Sequence, residues 1–174
     1  ELSFRGSSLL TLRLARGLER RELDTALICT RLTELDESLL SGVRLHEIPG
    51  YNVPIWGRIV LRTLCRDLKE QRPDIIHVQD PRLLSQGLRL SRKLRRPLIV
   101  SVSDQSEAGA LVIRQATPEL KMVISVSESV QQQIPETPFM AQIEKCVILP
   151  GVEVPDATLI DAPLDDDRPP VIGM

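Results

Sequence analysis

Aromatic side chains are nearly missing: Phe4, Tyr51, Trp56 and Phe139 are the only four among 174 residues. The core must therefore be built from Leu, Ile, Val and Ala, and the scarcity argues against a base-stacking platform for single-stranded nucleic acid, so no nucleic-acid partner is expected. Histidine is limited to His46 and His77, too few for a histidine-rich metal site. His46 lies in an alternating segment and is expected to face solvent. The three cysteines, Cys29, Cys65 and Cys146, are odd in number and form no C-x-x-C pair. Neither a disulfide framework nor a zinc site is expected from them, and a reducing cytoplasm fits best. No apolar run approaches the roughly 18–20 residues that span a bilayer, and the first residues do not form a basic-then-apolar leader. G-x-S-x-G, G-x-x-x-x-G-K-[ST], H-E-x-x-H and a full G-x-G-x-x-G are absent. That removes the main support for hydrolase-elbow, P-loop, zincin and ordinary dinucleotide-binding chemistry.

What is present is ordinary in amount and uneven in placement. Hydrophobic residues at 42% and charged residues at 26% describe a soluble globular chain, and at about 150 residues per domain there is room for one core. The net charge is −2, yet residues 1–100 carry 18 basic and 12 acidic side chains (+6), and residues 101–174 carry 4 and 12 (−8). Arg outnumbers Lys by 18 to 4, which favours bidentate contacts to phosphate or carboxylate; a compositional bias accounts for the ratio equally well. The chain opens on Glu1 and stops within the apolar run Val171-Ile172-Gly173-Met174, so both ends are expected to be cuts through a longer protein.

Apolar spacing predicts a helix over Ser7–Arg20, with Ser7 or Ser8 as its cap and Gly6 freeing the turn before it. A short apolar strand follows at Asp24–Thr30, then a helix-prone stretch at 33–40 and an edge-like alternating strand at Val43–Ile48. Trp56–Lys69 returns to helical spacing. Asp74–Val78 (DIIHV) is of largely apolar character, as expected of a buried parallel strand, Leu98–Val102 (LIVSV) reads as another buried strand, and the helix between them, Leu83–Leu94, is basic on its outer face. A helix beginning at Gly109 and reaching Gln115, a strand at Met122–Val126, a short helix at Ser127–Ile134 and a strand at Cys146–Leu149 complete the reading. Strand and helix alternate every 20–25 residues or so, which predicts an α/β Rossmann-like doubly wound parallel sheet flanked by helices. In such sheets ligands gather at the carboxyl ends of the strands. The polar residues there are His77, Gln79 and Asp80, then Ser103 and Asp104, then Ser125, Ser127 and Glu128.

The segments ELSFRGSSLLTLRLARGLERR, VRLHEIPG, RPDIIHVQDPR, RPLIVSVSD, MVISVSESV, KCVILPGVEV and PPVIGM follow one another in that order. In order and spacing they resemble the N-terminal half of retaining GT-B glycosyltransferases of the family 4 type, whose usual texts are a Gly-Gly loop with a helix ending in LA-x-GL, then RPDIVHAHD, RPLVVTVHD, VIAVSE and VIPNGVD. The resemblance implies one half of a GT-B fold. Residues 1–152 would form the acceptor-side domain, 153–170 a linker rich in Pro and Asp, and 171–174 the first strand of a C-terminal domain. It also implies a nucleotide sugar as donor substrate, a sugar or lipid-linked acceptor, no other cofactor, no metal, and inactivity of this half without the C-terminal domain.

Residue by residue, Gly6 and the amides of Ser7 and Ser8 match the donor-phosphate loop, where helix-start N–H groups and the dipole favour a diphosphate. Arg5 stands where the family has a further glycine, and either blocks close approach or adds a guanidinium; a plain turn is the other reading of Gly6. His77 matches the first histidine of H-A-H-D, with Gln79 in place of the second and Asp80 retained; His77 and Asp80 are substrate-binding candidates, and the other reading of His77 is a strand-end residue bonded in the core. Ser103 replaces the family's active-site histidine. Asp104 beside it either caps the next segment or touches an acceptor; the two are the catalytic candidates. Ser127 and Glu128 match V-S-E and face the interdomain cleft or simply cap a helix. Arg89–Arg96 is a solvated basic face or, peripherally, a contact for an anionic membrane surface. The rival reading is a degenerate, non-catalytic domain that binds a glycan or a partner; a free-standing phosphate-binding domain is a third. The family's central strand precedes the Gly loop, and here it is expected to be a stub at residues 1–4 or to lie upstream.

Overall fold

A computed structural model of the chain describes residues 2–3, 6–33, 42–49, 56–111 and 117–151. The elements are β1 (Leu2–Ser3), α1 (Gly6–Glu19), β2 (Ala26–Cys29), β3 (Leu32–Thr33), β4 (Arg44–Glu47), α2 (Trp56–Gln71), β5 (Ile76–Val78), α3 (Leu84–Leu94), β6 (Leu98–Val102), α4 (Gln105–Ala110), β7 (Leu120–Ser125), α5 (Glu128–Gln131) and β8 (Glu144–Val147). Single 3₁₀ turns at Pro81–Leu83 and Met140–Gln142 precede α3 and β8.

Among the described residues every ladder is parallel. Strands β5, β6, β7 and β8 form one sheet in that order, with Ile76 opposite Leu98, Leu98 opposite Leu120 and Met122 opposite Glu144. Two further pairs, β1 with β3 and β2 with β4, complete the strands. The fold is α/β and Rossmann-like, as the alternation predicts. β1 pairs with β3 and, among the described residues, with no other strand.

β6 lies at the centre of the packing because its sequence, LIVSV, has no charged position and places Leu98, Val100 and Val102 on one face with no exposed surface. Each such side chain contributes about 1.5–3 kcal/mol on burial. That face meets Val78, Leu120 and Val123 of the neighbouring strands and is covered by Ala108, Leu111, Val130, Ile134 and Met140. Helix α3 comes close through Gly87, whose missing side chain makes room for Val78 and Leu98. α2 packs on α3 through Leu61, Leu64, Cys65 and Leu68 against Leu90. α1 covers β2 with Leu12 on Cys29.

Two helices end at a left-handed residue that is not glycine, Arg72 (φ 50°) after α2 and Arg95 (φ 55°) after α3. Pro73 and Pro97 follow closely and forbid continuation. Leu98–Val102 is a strand over the predicted span. The predicted helix at Gly109–Gln115 is corrected: α4 runs Gln105–Ala110, because Asp104 starts it, and residues 112–116 lie outside the described residues. Leu32–Thr33 is a strand, while residues 34–40 of the helix-prone stretch, Arg5, the linker and 171–174 also lie outside them.

Candidate functional site

The carboxyl ends of β5, β6 and β7 hold the polar side chains that the sequence singles out. His77 lies on β5, with its Nε2 2.8 Å from Ser101 Oγ on β6. Gln79 Nε2 stands 3.0 Å from His77 Nδ1 and 3.1 Å from its Nε2. The amide of Gln79 is a donor, so the ring nitrogen that receives it must be unprotonated. Donation to Nδ1 leaves Nε2–H to donate to Ser101 Oγ and satisfies all three groups. Burial lowers the His77 pKa below its ordinary value of 6.5, so the ring is neutral at physiological pH. His77 is thus a half-buried, internally bonded imidazole at the strand end.

Asp80 begins the 3₁₀ turn. Its Oδ1 accepts from Arg82 N at 2.9 Å, and Pro81 at the first turn position has no N–H to leave unsatisfied. The Arg82 guanidinium returns to the same carboxylate, Nε at 2.9 and 3.0 Å from the two oxygens and one terminal nitrogen at 2.8 Å from Oδ2. Burial pushes the Asp80 carboxyl up, but the Arg82 side chain, backbone N–H and charge outweigh it and hold it below its ordinary value. The charges of Glu107 and Asp104 also act on Arg82, so the ends of β5 and β6 form one electrostatic cluster.

Asp104 caps α4: its Oδ1 accepts from Glu107 N at 2.8 Å and from Ser106 Oγ at 2.6 Å. The Ser106 hydroxyl first, then the Glu107 amide, lower its pKa. Glu107 reaches back, its Oε2 accepting from Ser103 N at 2.9 Å. This is a capping box displaced by one residue. Ser103 therefore contributes its backbone to the cap. Ser127 caps α5, accepting from Val130 N at 3.3 Å, and Glu128 follows in the first turn, where a negative charge suits the dipole. Gly6 and Ser7 are the first two residues of α1. Ser125 Oγ is fully buried with no hydrogen-bond partner among the described residues.

Ser101, Arg82 and Glu107 escape the sequence reading. Asp80-Pro81-Arg82 carries an Asx-turn signal and Asp104-x-x-Glu107 a capping-box signal, but Ser101 is found only through the sheet register. His46, expected in solvent, is half-buried, with Nε2 3.4 Å from Gln71 Nε2 at the end of α2. Among the described residues no group of three or more His, Cys, Asp or Glu side chains is placed to hold a metal ion, and no helix is long and apolar enough to cross a membrane.

A parallel Rossmann-like half whose polar side chains collect at the strand ends defines the class: one of the two halves of a GT-B fold. The sequence profile of Glycosyltransferase Family 4 matches residues 4–154, and the chain belongs to that family. The fold is similar to that of Anabaena HepE in crystal structures with UDP and glucose (TM-score 0.59, 17% identity, 86% of this chain and 42% of that one). It is likewise similar to HepE with UDP (0.59, 18%, 87% and 43%) and with UDP-glucose (0.57, 19%, 88% and 43%). The chain thus spans less than half the length of HepE. No curated protein matches it.

Proposed function

We propose that this chain is the acceptor-side domain of a retaining glycosyltransferase that moves a sugar from a nucleotide-sugar donor to an acceptor, and that it is inactive without a C-terminal domain. The observation that carries the reading is the family match over residues 4–154. Similar solved structures with UDP, glucose and UDP-glucose support a nucleotide sugar as donor. In this reading the amides at Gly6 and Ser7 face the donor diphosphate. His77, Asp80, Ser127 and Glu128 line the acceptor side, and Ser103 and Asp104 lie nearest the reacting sugar. The donor is substrate, and no metal or further cofactor takes part. The domain works in the cytoplasm, in solution or peripherally at a membrane. Sugar-nucleotide turnover by this chain alone tests the reading: no turnover is expected, with activity appearing once the C-terminal half is joined, whereas turnover at a normal rate by the single domain overturns it.

A second reading, a non-catalytic domain that binds a glycan or partner, is favoured by one observation. Asp80, Asp104 and Ser127 each hold a local hydrogen bond within the fold. Ser103→His in the joined protein discriminates. Normal activity with Ser103 that falls on substitution excludes the non-catalytic reading.

A further inference from the structure

On the helical layer, α2 presents Arg62, Arg66 and Lys69 and α3 presents Lys93 around a depression of about 290 Å³ floored by Cys65. At about 30 Å³ per liquid water, the space suits a small anion together with part of what it is attached to. Positions 62, 66 and 69 fall on one face of α2, two turns deep. No carboxylate lines the depression. Among the described residues Arg62, Lys69 and Lys93 make no ion pair, and Arg66 reaches only its neighbour Asp67, at 3.5 Å. Burial pushes the Cys65 thiol up, while Lys93 and then Lys69 pull it down, so ammonium groups from both helices act on one buried sulfur.

A solvated basic face accounts for part of this arrangement. Lys69 and Lys93 sit in the last turns of their helices, where a cation complements the dipole. Arg62 and Arg66 are mid-helix, and like charges four residues apart oppose each other. With Lys93 brought in by the packing of α3, four positive groups share one recess over an apolar floor. Two guanidinium forks and two ammonium groups match a doubly charged phosphate better than a single carboxylate.

We propose that the α2–α3 groove is a binding site for a phosphomonoester group, carried by a soluble small molecule or by a lipid headgroup. It lies on the outer helices, away from the strand ends, and stands independently of the transferase reading. Titrating the isotope-labelled chain with glycerol phosphate should give saturable amide shifts centred on residues 61–69 and 90–94. Arg66→Glu combined with Lys93→Glu should weaken binding by about a hundredfold or more, on the scale of two lost charge-assisted hydrogen bonds. Arg89→Glu, on the same helix outside the lining, should change it little. Arg66→Gln with Lys93→Gln serves if the double reversal does not fold. In a second arm, vesicles of phosphatidylcholine with and without phosphatidic acid are sedimented with the chain. Binding in the first arm alone identifies a soluble ligand, binding only to phosphatidic acid vesicles a headgroup, and binding in both the shared chemistry. Binding in neither, shifts centred elsewhere, or an equal loss with Arg89→Glu overturns the proposal.

Discussion

His77 is a base whose folded pKa lies below 6.5 because burial disfavours its charged form. Above the unfolded value both states are neutral and the ring adds no pH dependence. As pH falls below 6.5 the unfolded chain takes up a proton that the folded chain refuses, so stability declines until the folded pKa is passed. Protonation would also place a hydrogen on the nitrogen that accepts from Gln79. His77→Gln should flatten the fall in Tm between pH 7 and about pH 5; an unchanged slope in thermal melts would contradict this. Asp80 carries the opposite charge logic at lower pH. Its carboxyl is held below 3.8 in the fold, so its contribution is complete above that value and is lost as pH falls through the lower folded pKa. Asp80→Asn should remove that acid-dependent part, read as a smaller loss of Tm as pH falls below 3.8. The roles of these two residues were only half legible in the sequence. Their place at strand ends follows from the periodicity, but Arg82 folding back on Asp80 and Ser101 meeting His77 depend on a turn and on register.

At the scale of elements, α3 lies close against the sheet at Gly87. A methyl group at Gly87 would run into Val78 Cγ2 and come within 3.1 Å of Leu98 Cδ1, both on core side chains with little room to move. Gly87→Ala should destabilise by about 1–3 kcal/mol, the usual cost of overpacking. Gly17, inside α1, has nothing within 4 Å of such a methyl, and Gly17→Ala should stabilise by about 0.5–1 kcal/mol through helix propensity. Denaturant midpoints of the two variants should therefore move in opposite directions; a shift of the same sign in both would refute the packing account. β6 was readable to the residue because an uncharged run bounded by Pro97 and Ser103, broken only by the small Ser101, admits little else. α4 was placed too late because apolar spacing around Gly109 outweighed the Asp104-x-x-Glu107 signal that starts the helix. The two-residue β1 and β3 are too short for any periodicity to report.

Across the whole molecule, protection should be unequal. β6 has a strand on each side and a face with no exposed surface, whereas β2 and β4 pair only with each other among the described residues and β2 keeps Ile28 36% exposed. Amide hydrogen exchange should be slowest at Val100 and its neighbours and clearly faster in β2 and β4, which open locally. Equal protection in the two regions would mean that they unfold as one unit. The order of strands β5 to β8 has a consequence for how the chain acquires its shape. Ile76 meets Leu98, Leu98 meets Leu120 and Met122 meets Glu144, each 22 residues further along. Every strand of this sheet is laid against the one made just before it, and none has to be threaded between two that are already joined. The closing loops are of nearly equal length, so the entropic toll of each step is nearly the same. A nascent chain emerging from the ribosome could thus zip this sheet together from β5 onward, one strand at a time, while β1 and β2 must each wait for a partner made after an intervening strand.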